Sequence, residues 1–160
     1  EHIHFNNRYN YPLPKNIPKS LKSIRFGCDY NHPLPENLPQ SLIKIDFCCN
    51  YNFTLPRNLP QSLKYIKFGN NYNKQLLENL PNSLQIIIFG NKYNKPLPKT
   101  LPKSLEKIKF GIEFDCEIPS SAFENLKVVE FSEYYKKTLS KILPQKLLII
   151  GLNQKFRLFD

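Results

Sequence analysis

Large apolar residues recur along this chain in steps of 21, separated by polar stretches of constant length. Phe5, Phe26, Phe47, Phe68, Phe89, Phe110 and Phe131 form one series, with Leu152 next in register. Tyr9, Tyr30, Tyr51, Tyr72, Tyr93, Phe114, Tyr135 and Phe156 form a second. Spacing this strict predicts the stacked coils of a solenoid, not a globule with an active-site cleft. The 160 residues supply about seven and a half coils, more than the three or so that bury a continuous core.

Counted from Leu21, the coil reads L-x-x-I-x-F-G-x-x-Y-N-x-P-L-P-x-N-L-P-x-S. Positions 3 to 6 predict a short strand, because positions 4 (Ile24, Ile45, Ile66, Ile87, Ile108, Val129, Ile150) and 6 (the Phe series) alternate onto one face. One strand per coil, always in the same direction, gives a parallel sheet along the concave side of a right-handed solenoid, with register fixed by the ladder. At position 7, Gly27, Gly69, Gly90 and Gly111 let the chain turn off the sheet, while Cys48 and Ser132 stand in for glycine elsewhere. Position 11 holds Asn10, Asn31, Asn52, Asn73 and Asn94, then Asp115. Buried Asn at a bend satisfies unpaired backbone groups, and stacking turns it into a ladder. The P-L-P-x-N-L-P run predicts an extended, polyproline-like convex side, with the Leu34 and Leu38 series inward and Ser20, Ser41, Ser62, Ser83 and Ser104 bonding backbone ahead of the strand.

The pattern loosens late. Leu77 replaces a Pro, and the run from Cys116 to Leu126 predicts a short helical turn started by Ser120 or Ser121. Lys136 and Arg157 replace the position-11 Asn, and a charge does not fit a dry ladder. The chain therefore reads as one domain over 1–160, with regular coils over 1–115 and degenerate coils or a cap over 116–160.

Composition changes the picture little. The 14 prolines are periodic, which excludes a disordered linker, and no run of about 18 apolar residues exists to span a membrane. The chain opens on Glu1 and holds no methionine, which reads as a fragment of a longer product. Cys28, Cys48, Cys49 and Cys116 match neither a zinc knuckle nor a disulfide scaffold. Cys28 and Cys49 lie one coil apart, but parallel in-register side chains suit a disulfide poorly, so all four read as free thiols. Free thiols and the lack of a signal peptide favour the cytoplasm, or host cytoplasm or virion for a viral protein.

The unit L-P-x-S-L-x-x-I-x-F-G-x-x-Y-N-x-P-L-P is carried by Leu59 to Leu63, Phe68-Gly69 and Tyr72-Asn73. It resembles the FNIP repeat, a leucine-rich-repeat relative of social amoebae and giant viruses, best from Phe5 to about Phe114. The resemblance implies a curved, leucine-rich-repeat-like solenoid that binds other proteins. It also implies, for products with an N-terminal F-box, a substrate-recognition arm of a ubiquitin-ligase adaptor. No F-box lies within these residues.

Outward strand positions are the ones free to carry a site. In the middle coils they hold an apolar group, Ile43, Tyr65, Ile86 and Ile88, flanked by Lys44, Lys64, Lys67, Lys107 and Lys109. An apolar centre in a charged rim is the pattern of a protein-binding site, although Ile and Tyr also suit exposed strand without a partner. Leu148 and Ile149 read as a second outward apolar pair, suited to unseen sequence or to self-association through the end coils. The net charge of +10 admits nucleic acid or another polyanion as an alternative partner, but arginines are few and scattered. A structural or assembly role, for instance in a virus particle, is the other alternative. No catalytic residues, cofactor or metal ligands are assigned. His2 and His4 share the outward face but have no third ligand close by, since His32 lies on the turn side about one coil away; Cys48-Cys49 lacks a histidine, and the glycines are single and periodic.

Overall fold

The computed structural model describes residues 1–139 and 143–151. Eight three-residue strands form one parallel sheet in sequential order. They are β1 (His2–His4), β2 (Ser23–Arg25), β3 (Lys44–Asp46), β4 (Tyr65–Lys67), β5 (Ile86–Ile88), β6 (Lys107–Lys109), β7 (Val128–Glu130) and β8 (Leu148–Ile150). The middle residue of each strand points inward. Ile24, Ile45, Ile66, Ile87, Ile108 and Val129 are all buried. From β1 to β7 every partner lies 21 residues on, as the period predicts.

The last step is shorter. Val129 pairs with Ile149, and Glu130 with Ile150, so β8 sits 20 residues on. This corrects the sequence reading of the final coil. Ile149, not Ile150, faces the core, and Leu148 with Ile150 form the outward pair, 55% and 44% exposed. A one-residue change of register moves every strand side chain to the opposite face. Leu152, Phe156 and Arg157 lie outside the described residues.

Each coil fills its interior with the same set. Phe47 stacks on Phe68 and Phe68 on Phe89, with centroids 6.0 and 5.4 Å apart and planes within 10°. The position-10 ring lies against the Phe of its own coil, as in Phe68–Tyr72 at 3.9 Å. The result is a two-column slab of near-parallel rings along the solenoid.

Spacing between equivalent atoms reports local curvature. Strands in a sheet lie about 4.8 Å apart. The Phe column steps by 5.0 Å at Phe26–Phe47 and 6.0 Å at Phe47–Phe68. The Tyr column steps by 6.2 Å at Tyr30–Tyr51 and 6.0 Å at Tyr72–Tyr93. Coils thus fan apart with distance from the sheet, which places the sheet on the inner, concave side.

Polar groups on the coil are matched to the coil before. Ser62 donates its hydroxyl to the carbonyls of Gln40 and Leu42, both at 2.7 Å, and Ser41, Ser83 and Ser104 make the corresponding bond to Leu21, Leu63 and Leu84. Each position-11 side-chain oxygen accepts the next coil's backbone N–H, from Asn10–Asn31 at 3.0 Å to Asp115–Lys136 at 3.0 Å. The ladder is at the surface, not buried, because Asn10, Asn31 and Asn94 are exposed. Lys136 is accommodated for that reason. The last rung needs only its backbone N–H, and its ammonium stays in water.

The position-7 glycines serve close approach rather than unusual backbone. None of Gly27, Gly69, Gly90 and Gly111 has positive φ. A Cβ on Gly90 would lie 2.1 Å from the Gly69 carbonyl oxygen and 2.6 Å from Asn70 Cα. The predicted helical turn is a 3-10 helix over Ser120–Phe123, entered from Pro119 with no side-chain cap, so neither serine caps it. It buries Ala122, which stands at the repeat position of Leu38 and Leu59, together with Phe123.

The ring slab is the main apolar mass, so Phe68→Ala should lower unfolding free energy by about 3–5 kcal/mol. Tyr72→Phe should leave it unchanged or raise it. The Tyr72 hydroxyl is buried without a hydrogen-bond partner, and burial holds it well above the usual tyrosine range. Removing an unsatisfied buried group is neutral to stabilising. Urea unfolding of both variants checks the pair.

Candidate functional site

Strand side chains alternate, so positions 3 and 5 of each coil form two columns on the concave face. Register places Tyr65 beside Ile86, and Ile88 between Lys67 and Lys109. Tyr65, Ile86 and Ile88 therefore make one contiguous apolar triangle, each half-buried by its neighbours. Ile43 precedes β3 and is exposed at one side of it.

The surrounding charges are more balanced than the lysine count suggests. Lys44 Nζ lies 4.6 Å over the Tyr65 ring, a cation–π contact. Lys67 Nζ is 3.6 Å from Asp46. Lys107 and Lys109 both reach Glu130, at 2.5 and 2.9 Å. Lys127 pairs with Glu106 at 2.7 Å. Of the five lysines read from the sequence as steering charges, three are thus partly neutralised, and Lys64 alone is exposed without an ion pair or ring contact among the described residues.

Sequence reasoning missed the acidic partners. The signal was present: position 5 reads Arg25, Asp46, Lys67, Ile88, Lys109, Glu130, and neighbours in a parallel column are one strand apart. Hydrogen bonds from Lys107 and then Lys109 hold the Glu130 carboxyl below the usual carboxylate range. Burial, then the nearby Asp46 carboxylate, pushes the Tyr65 phenol up.

The remaining chemical groups are dispersed. His2 Nδ1 is 2.6 Å from Ser23 Oγ, and His32 Nε2 is 3.0 Å from the Asn10 carbonyl. Neither joins a cluster of ligating groups among the described residues. The four thiols are not all free, as the sequence reading had them. Cys28 is joined to Cys48, with Cα atoms 4.6 Å apart, while Cys49 and Cys116 are free. The physical reason lies in the glycine geometry above. A position-7 Cβ points at the position-8 backbone of the preceding coil, so Cys48 is aimed at Cys28. The argument for a reducing compartment thereby loses two of its four thiols. Among the described residues no helix is long and apolar enough to cross a membrane.

The FNIP Repeat profile matches residues 1–29, 51–92 and 93–123. The chain belongs to the FNIP repeat family. A crystal structure of CroV588, described as a novel circular leucine-rich-repeat protein, matches at 27% identity with a TM-score of 0.55. That match covers 94% of this FNIP chain and 30% of CroV588. No curated protein matches the chain. The FNIP repeats thus build a solenoid of leucine-rich-repeat type, a class of fold that is typically non-catalytic.

The ion pairs at β6 and β7 yield a pH prediction. A carboxyl depressed in the folded chain contributes stability above its unfolded pKa of about 4.3 and loses it as pH falls through the lower folded value. Glu130→Gln should therefore cost up to about 1 kcal/mol at pH 7, the scale of surface pairs. The cost should shrink as the pH falls and the folded-state carboxyl takes up its proton. Urea midpoints at neutral and acid pH check this.

Proposed function

We propose that this FNIP solenoid is a non-catalytic protein-recognition scaffold whose partner docks on the concave sheet over Tyr65, Ile86 and Ile88. One observation carries the reading: three apolar side chains meet in a single patch on the rigid inner sheet, where the surrounding charges are held in pairs. Such a patch desolvates at low cost and keeps a polar rim for orientation. Ile43, Lys44 and Lys64 supply one side of that rim, and Lys67, Lys107 and Lys109 the others. In a product that also carries an F-box, this face would select substrates for a ubiquitin ligase, a reading that rests on the family resemblance alone.

Assembly is the second reading. Leu148, with Val128 beside it, and Ile150 two residues on present an apolar strip on the last described strands. A circular relative makes end-to-end continuation of such coils a concrete alternative. The polyanion reading is weaker, because paired lysines release fewer counterions on binding.

The discriminating variant is Tyr65→Ala combined with Ile88→Glu. It should retain the circular dichroism of the wild type and lose partner capture by more than about tenfold, since central anchors each carry roughly 2 kcal/mol or more. Undiminished capture of the same partners would overturn the concave-face reading. Concentration-dependent oligomers abolished by Leu148→Glu would favour assembly. Heparin retention that collapses between low and moderate salt would favour a polyanion.

A further inference from the structure

Three cysteines from two successive coils converge on one spot of the solenoid. Cys28 and Cys49 occupy position 8 of successive coils, with sulfurs 3.2 Å apart. Cys48 occupies position 7, and its sulfur lies 3.5 Å from that of Cys49. All three sulfurs fall within 4.8 Å of one another and are partly accessible to solvent.

The substitution pattern is coordinated. Position 7 is glycine in the coils on either side, Gly27 and Gly69, and again at Gly90 and Gly111. Glycine is needed there because a Cβ runs into the preceding coil: on Gly27 it would meet Asn7 Cα at 2.6 Å, and on Gly90 Asn70 Cα at 2.6 Å. Among the regular coils from Gly27 to Gly111, the one departure is Cys48, in the coil where position 8 is cysteine both in that coil and in the one before. Position 8 is Asn in the coils that flank this pair, at Asn7 and Asn70, and again at Asn91, with Ile112 and Glu133 later. A bulkier residue is thus tolerated at a crowded point where it brings a third sulfur onto two others.

We propose that the reduced chain binds one soft d10 metal ion, Zn(II) or Cu(I), through the thiolates of Cys28, Cys48 and Cys49. Thiolates select these ions over harder ones. Metal–sulfur bonds of about 2.3 Å set the ligand sulfurs roughly 4 Å apart, so once the Cys28–Cys48 link is reduced the side chains rotate outward to open the site. Each thiol gives up its proton to solvent on binding. A trigonal site suits Cu(I), and Zn(II) completes its tetrahedron with water, for which the partial exposure leaves room. The Cys28–Cys48 link uses two of the same sulfurs, so the linked chain and the metal-bound chain are mutually exclusive states. The spacing escaped the sequence reading because ligand motifs are ordinarily judged within one loop. Here the relevant interval is one coil, and Cys28, Cys48 and Cys49 are 20 and 21 residues apart.

The test uses the full chain, reduced with a phosphine and kept anaerobic. Zn(II) is titrated against a chromophoric chelator, and Cu(I) against a Cu(I) chelator. Retention of one equivalent of either ion is expected, with three of the four thiols shielded from alkylation. Cys28→Asn, Cys48→Gly and Cys49→Asn each restore the residue of neighbouring coils, so the fold should persist by circular dichroism. Each should weaken binding by more than about 100-fold, since loss of an outer-shell partner alone costs about 10- to 100-fold. Cys116→Ser, whose sulfur lies against Asn94, should bind as the wild type does. Failure to retain either ion, or unchanged affinity in Cys48→Gly, would overturn the proposal.

Discussion

The step between adjacent parallel strands is the constraint on which the rest of this molecule depends. It is fixed by backbone hydrogen bonds at about 4.8 Å, and no side chain can change it. Each coil must therefore present the same shape to its neighbour at that distance. The rings from Phe26 to Phe131 lie near-parallel because rings in other attitudes would not fit between coils so closely spaced. Position 7 loses its side chain because the chain leaves the sheet there directly over the preceding carbonyl. Ser62 and Asn52 reach back or forward by one coil because the polar groups that need satisfying are one step away. Away from the sheet the ladder no longer dictates spacing, and the Tyr column opens to 6.2 Å at Tyr30–Tyr51. Curvature follows from that difference, and with it a concave face made of the most rigid part of the fold.

Legibility in the sequence tracks this constraint closely. The period, the strands, the inward set and the ring stacks were all visible, because a register held by backbone bonds imposes itself on every coil. Two features of the coil itself were not visible. The wet Asn ladder looked like a buried one, since hydrogen-bonding capacity can be read from a residue type but depth cannot. The shortened last coil was hidden because Leu147, Leu148, Ile149 and Ile150 are all apolar. A strand without alternation offers no sign of which residues face the core, and the 21-residue spacing of Leu126 and Leu147 seemed to continue the series.

The outward face was legible only as a list of residue types. Tyr65, Ile86 and Ile88 could be grouped, because register alone makes them neighbours. The lysines could not be weighed without their partners. Glu130 lies on a different coil from both Lys107 and Lys109, and one carboxylate serving two ammonium groups is a property of the sheet, not of any segment. The same holds for the thiols. Cys48 and Cys49 are adjacent in the chain and on opposite alternations of it, yet stacking brings both to Cys28. On a solenoid the neighbourhood of a residue is set by position within the coil, so motifs must be sought down columns as well as along the chain.

The final described coil separates two periodicities that elsewhere coincide. Phe131 donates its backbone N–H to the Ile150 carbonyl at 2.9 Å, as Phe110 does to Glu130 at 2.8 Å. Ile150 therefore stands where Glu130 stands one coil earlier, and the slot that follows, held by Phe in the preceding coils, is taken by Gly151. Gly151 has φ of 89°, and a Cβ there would lie 2.0 Å from the Phe131 carbonyl oxygen. The ladder thus continues through β8 while the column of position-6 rings stops at Phe131. Removing one residue from a coil achieves this without an unpaired strand between them. It also turns Leu148, beside Val128, and Ile150 outward, so a single change of register both interrupts the ring column among the described residues and creates an exposed apolar strip.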